Sequence, residues 1–92
     1  MKRIDAAFRR LKKLGEKALI PFITAGDPDL KTTKALALDM AARGADLLEL
    51  GIPFSDPLAD GPTIQAASLR ALQGGVHLQE VLKLAGQIRQ ET

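Results

Sequence analysis

Glu49 is a carboxylate set into the apolar run LLELGI, and two further acids, Asp56 and Asp60, follow it four residues apart in a loop that also holds Pro53 and Pro57. Side chains alternate between faces along an extended segment. Leu48, Leu50 and Ile52 then share one face, while Leu47, Glu49 and Gly51 share the other. The branched apolar face suits packing under helices, which sends Glu49 to the opposite side, near the strand's C-terminal end. Burial disfavours the charged form of a carboxylate and raises its pKa, and an acid raised toward neutrality can both give and take protons. The competing reading is a glutamate that pairs with a base or sits at a frayed strand end.

Asp56 and Asp60 carry two readings as well. Paired acids can hold a metal, but no histidine is near and the oxygen-ligand spacing of a calcium loop is absent. Aspartates are also common turn formers. The prolines restrict the unfolded states of the loop and let it hold one shape at lower entropic cost. A stiff loop with acids beside a strand-end acid is a candidate site whose reaction the spacing leaves open.

Composition removes several other chemistries. The 92 residues contain no cysteine, so there is no disulfide frame, thiol nucleophile or zinc–thiolate site, which fits a reducing compartment. His77 is the only histidine, which excludes a His-rich metal centre. No apolar stretch approaches the roughly 20 residues of a membrane span. Seven of the thirteen Lys and Arg residues lie between Met1 and Lys17, but only Phe8 is interleaved with them. That pattern is the solvated face of an amphipathic helix rather than a nucleic-acid patch. Asp5 and Glu16 interrupt the basic run, which leads straight into a strand, so it reads as part of the fold and not as a targeting leader.

The elements that must position these acids follow from periodicity. Ile4, Ala7, Phe8 and Leu11 lie at helical spacing and predict a helix over 2–14. ALIPFIT predicts a strand over 18–24. AGDPD is a turn whose Asp29 caps a helix over 29–43, with Leu30, Ala37, Met40 and Ala41 on one side. A strand over 46–51 and a loop over 52–60 come next. Pro62, suited to a first helical position, opens a helix over 62–73, and Gly74-Gly75 closes it as a C-cap rather than a phosphate cradle. Leu78, Val81, Leu82, Ala85 and Ile88 predict a last helix over 78–90, with His77 as a solvated residue at its start. Strands alternating with helices imply an α/β fold with parallel strands. Two strands leave sheet edges that need cover, so the segment reads as the opening quarter of a larger fold.

Three stretches resemble a known family. LELGIPFSDPLADGPTIQ, Leu48 to Gln65, closely resembles the signature segment of the tryptophan synthase alpha chain; PFITAGDP and GADLLELG resemble that family's first strand and turn and its approach to the second strand. The resemblance covers nearly the whole chain. It implies a (β/α)8 TIM barrel, of which this segment supplies the N-terminal helix and the first two β/α units. It also implies a cytoplasmic lyase of tryptophan biosynthesis that cleaves indole-3-glycerol phosphate to indole and glyceraldehyde 3-phosphate. By resemblance, Glu49 is the general acid–base, and Asp60 holds the indole N–H and stabilises charge developing on the ring. Phe22 and Ile64 line the indole pocket, and Pro53, Asp56 and Pro57 face a beta chain in an α2β2 complex. No metal and no cofactor are expected in this chain; pyridoxal phosphate belongs to the beta partner. Barrels of this kind need about 250 residues and bind phosphate after strands seven and eight, beyond the two strands here. The alternative from a different class is a non-catalytic or engineered (β/α)2 fragment that pairs its strand edges in a homo-oligomer.

Overall fold

Helix α1 spans Lys2–Leu14 and β1 spans Phe22–Thr24; α2 is Leu30–Ala42 and β2 is Glu49–Gly51; α3 is Pro62–Gln73 and α4 is Leu78–Glu91. These elements come from a computed structural model, which describes residues 2–55 and 59–92. β1 and β2 are parallel neighbours, with Phe22 opposite Glu49, Ile23 opposite Leu50 and Thr24 opposite Gly51. The connection between them passes through α2, as parallel pairing requires.

Both strands are shorter than the apolar runs that contain them, and the reason lies in their hydrogen bonds. Pro21 has no N–H to donate, so only its carbonyl joins the partner strand, accepting from the Glu49 N–H at 2.9 Å. Upstream, the Leu19 N–H donates at 2.8 Å to the Asp46 carboxylate, not to a backbone carbonyl. The Leu19 carbonyl in turn accepts from the N–H groups of both Asp46 and Leu47. Residues 18–21 and 46–48 thus lie side by side without the regular ladder, which begins at Phe22. At the other end the Ala25 N–H donates to the Gly51 carbonyl at 2.8 Å and extends the pairing by one bond.

The helix ends follow from local chemistry. The Asp29 side chain accepts from the Thr32 N–H and caps α2, leaving Leu30 as the first helical residue. α3 starts at Pro62 after Gly61, and the Glu80 carboxylate accepts the His77 N–H at 3.0 Å at the start of α4.

The core is built from small side chains. Ala25, Ala37, Ala67 and Ala71 are buried together with Leu11, Val81 and Leu84, and Thr24, Thr33 and Ser68 join them. α2 packs against α4, and α3 packs against β1. The apolar stripe of α4 lies on a different face from the one its spacing suggested. Val81 and Leu84 are buried and Ile88 is half-buried, whereas Leu78 and Leu82 are exposed. Leu84 replaces its neighbours because the 81–84–88 row is the one turned to α2. On α1 only Leu11 is buried, and Ile4 and Phe8 are exposed. Ile4 and Ala7 instead line an open cavity of about 930 Å³ with Leu48 and Leu50 of the β2 region and Ala85 and Ile88 of α4.

Candidate active site

The parallel register puts Phe22 and Glu49 side by side on one face of the sheet, since paired residues in neighbouring strands project the same way. Leu48 and Leu50 project to the other face, into the cavity shared with α1 and α4. The alternation that separates Glu49 from its apolar neighbours is therefore present in the fold. Gly51 completes the Glu49 face. A methyl group in place of its hydrogen would lie 2.4 Å from Cζ and 2.9 Å from Cε2 of the Phe22 ring. The ring can lie across the strand end beside Glu49 only because residue 51 lacks a side chain.

The expectation that Glu49 is buried is corrected by the structure: Glu49 is exposed, as is Phe22 at 44%. The physical reason is geometric. Two strands of three residues make a ribbon, not an enclosure.

Asp60 and Ile64 sit on the far side of the loop from Glu49. Asp60 is exposed, and its backbone carbonyl accepts from Gln65 Nε2 at 2.7 Å, which draws the loop end onto the first turn of α3. Ile64 lies in that first turn and is half-buried. Pro53 is half-buried at the loop's start. Asp56 and Pro57 lie outside the described residues. The structure thus forms two groups: Phe22, Glu49 and Gly51 on the sheet, and Asp60 with Ile64 at the head of α3. Among the described residues there is no cluster of three or more His, Cys, Asp or Glu side chains placed to hold a metal ion.

A further polar cluster lies beside the site, in the β1–α2 turn. Arg70 of α3 donates from Nε to Asp27 Oδ1 at 2.8 Å and from Nη2 to Oδ2 at 2.9 Å. The hydrogen bonds from Arg70 hold the Asp27 carboxyl below the usual carboxylate range, against a smaller opposing effect of desolvation, and the guanidinium charge adds to the lowering. Gly26, with φ of 90°, donates its N–H to Thr33 Oγ1 at 3.0 Å, and that hydroxyl donates to the Asp29 carbonyl at 2.8 Å. A Cβ at Gly26 would meet Val76 Cγ2 at 2.4 Å, so the turn also fits closely against the segment after α3. Residue spacing had assigned this turn a capping role only. Nothing local in the sequence marks Arg70, 43 residues away, as its partner.

Comparison with known proteins bears on what this arrangement belongs to. The family model described as tryptophan synthase alpha chain matches residues 8–92. The tryptophan synthase alpha chain of Geotalea uraniireducens is 58% identical over all 92 residues, which cover 34% of that protein. The chain belongs to the tryptophan synthase alpha chain family. Tryptophan synthase subunit alpha from Legionella pneumophila superposes with a TM-score of 0.91 at 49% identity, over 96% of this chain and 34% of that one. A chain of tryptophan synthase from M. tuberculosis, in an aminoacrylate-bound form, gives a TM-score of 0.84 at 35% identity, over 89% of this chain and 34% of that one. The chain therefore spans about a third of the length of the curated relatives it matches. Within the tryptophan synthase alpha fold it corresponds to an N-terminal portion: a leading helix and the first two strand–helix units of a (β/α)8 barrel. In such barrels the C-terminal ends of the strands carry the active site; Gly51 and the turn after Thr24 lie at that end, whereas Glu49, expected near it, is the first residue of the short β2, two positions back on the same face.

Proposed function

We propose that this chain contributes the proton-handling and indole-binding part of an active site that cleaves indole-3-glycerol phosphate. The observation that carries the reading is the register Phe22 opposite Glu49. It places a carboxyl group and an aromatic ring next to each other on one face of a parallel strand pair, with Gly51, at the C-terminal end of β2, making room for the ring.

The cleavage is a retro-aldol lyase step. A proton is delivered to C3 of the indole ring, the bond from C3 to the glycerol chain breaks, and the glycerol hydroxyl on the carbon being released loses its proton as the aldehyde forms. The products are indole and glyceraldehyde 3-phosphate, with no net gain or loss of protons. Glu49 serves both transfers, giving a proton at one atom and taking one at the other. Protonation at C3 leaves positive charge on the ring, shared with its nitrogen. Asp60 accepts the indole N–H and stabilises that charge, while Phe22 and Ile64 provide the apolar walls. In this reading the step draws on no cofactor in the chain. The released indole passes to a beta chain that carries pyridoxal phosphate, and the loop with Pro53, Asp56 and Pro57 faces that partner.

The test uses the full-length alpha chain carrying these residues and an assay for indole release. General acid–base catalysis contributes about 10²–10⁴-fold, so Glu49→Gln should lose activity on that scale while keeping its far-UV circular dichroism. Asp60→Asn should also lose activity. Turnover unchanged by Glu49→Gln would remove the assignment.

A further inference from the structure

We infer that the Asp27–Arg70 pair is a positioning device that sets the spacing between Glu49 and Asp60; the inference rests on the reading of those two acids as the reacting pair. The direct chain path between them is the loop over 52–60. A second path runs through the fold. Glu49 and Gly51 are held by the ladder to Phe22 and Thr24. Thr24 leads through Ala25 and Gly26 to Asp27, Asp27 is gripped at both oxygens by Arg70, and Arg70 belongs to the helix whose head carries Ile64 and adjoins Asp60. The pair closes a ring that bypasses the loop.

The packing of α3 explains why a polar grip is needed there. The residues it buries are Ala67, Ser68 and Ala71. Such small side chains allow close approach to β1 and its turn but give the helix few large side chains to interlock, so a polar grip adds a restraint on its direction. A two-point guanidinium–carboxylate fork fixes direction as well as distance. Eight residues separate Arg70 from Pro62 at the head of α3, a lever of about 12 Å at the rise of an α-helix. A tilt of about 5° at Arg70 therefore displaces the helix head by about 1 Å, a misplacement that can cost an active site about 10²-fold in rate. Arg70 itself is 57% exposed against 18% for Asp27, and exposed ion pairs contribute little to stability. The pair should therefore matter more for turnover than for melting.

The experiment measures kcat, KM and Tm for Arg70→Ala, Arg70→Lys, Asp27→Asn and the double variant Asp27→Asn/Arg70→Ala, in the full-length alpha chain with Glu49→Gln as control. Removing either partner should lower kcat by about tenfold or more with KM changed by less than about threefold, because the reacting geometry is lost and the bulk of substrate binding is not. The double variant should be no worse than the worse single variant, since the two side chains act as one unit. Arg70→Lys keeps the charge but not the fork, so it should melt with the parent and recover only part of kcat. An Arg70→Lys variant with parental kcat overturns the proposal even if Arg70→Ala fails to fold. Additive losses in the double variant, or a kcat loss that only follows the folded fraction, overturn it equally. If Glu49→Gln is inactive while Arg70→Ala is fully active, the positioning role alone falls. If Glu49→Gln retains turnover, the proposed reaction falls and takes this inference with it.

Discussion

Asp27 is held at both carboxylate oxygens by Arg70, and its titration gives a pH signature at the level of one residue. Hydrogen bonding from Arg70 holds its carboxyl below the ordinary value of 3.8, and the Thr32 N–H does the same for Asp29. With folded values depressed, the unfolded chain takes up protons first as the solution is acidified. The stability these groups contribute is complete above the ordinary carboxylate range and is lost as pH falls through their lower folded values. Thermal melts from neutral pH down to about pH 2.5 should show the loss beginning near pH 4. Asp27→Asn should begin less stable at neutral pH and lose less on acidification. An acid limb as steep in Asp27→Asn as in the parent would show that the fork adds nothing to stability. At this scale the site was partly legible. Strict alternation separated Glu49 from Leu48 and Leu50, and placed Gly51 on the Glu49 side, before any strand partner was known. Arg70 was not legible, because an ion pair closing across most of two β/α units leaves no trace in local spacing. The exposure of Glu49 was also beyond reach, since burial depends on what stands opposite a strand, not on the strand.

Between elements, the β1–α2 turn is held by one hydroxyl that works in both directions. Thr33 is 1% exposed; its Oγ1 accepts from Gly26 N–H and donates to the Asp29 carbonyl. Thr33→Val keeps the shape and removes both bonds, leaving a buried N–H with no acceptor. The unfolding free energy should fall by about 1–3 kcal/mol, the cost of an unsatisfied buried polar group. Urea unfolding measures this, and a midpoint equal to the parent's would mean that another acceptor takes the Gly26 N–H. Helices were the most legible elements because their signals are local: Asp29, Pro62 and the Gly74-Gly75 pair act within a turn of where they stand. Strand lengths were less legible. The apolar character of 18–24 is real, yet Pro21 cannot donate and the Leu19 N–H turns to the Asp46 carboxylate, which itself accepts from Arg10 Nη2 at 3.1 Å. That clamp ties α1 to the start of both strands and replaces ladder bonds with side-chain ones. The apolar stripe of α4 was misplaced for a related reason. Leu78, Val81, Leu82, Leu84, Ala85 and Ile88 offer more than one helical row, and only the position of α2 selects the row 81–84–88.

The whole molecule is less compact than its length allows. Its radius of gyration is 14.3 Å, whereas a compact domain of this length would have about 12 Å. Its accessible surface is 6761 Å², against about 5,200 Å² for a folded monomer of the same mass. The difference is close to the area that a standard protein–protein interface removes from water, about 1,600 Å². It has a definite location: Leu19, Phe22, Ile52, Phe54 and Leu69 are exposed, the cavity between α1, β2 and α4 is open, and each strand has one unpaired edge. In the family fold those edges belong inside a closed ring of strands, so the surface that a barrel would bury is presented to solvent. The 92-residue chain studied alone should therefore associate with itself through these edges and faces. Sedimentation velocity should show a weight-average mass that rises above 9.8 kDa with concentration, and a dye that fluoresces on apolar surfaces should bind at low concentration and be displaced as assembly proceeds. Charged substitutions test where the contact forms. Phe54→Lys lies on the loop and Ile23→Lys on the strand pair, so the strand change should suppress assembly more, because a lysine on an edge strand opposes pairing. A chain that stays at monomer mass throughout and binds no dye would show that a two-strand sheet with a core of alanines is self-sufficient, against the surface and edge arguments alike.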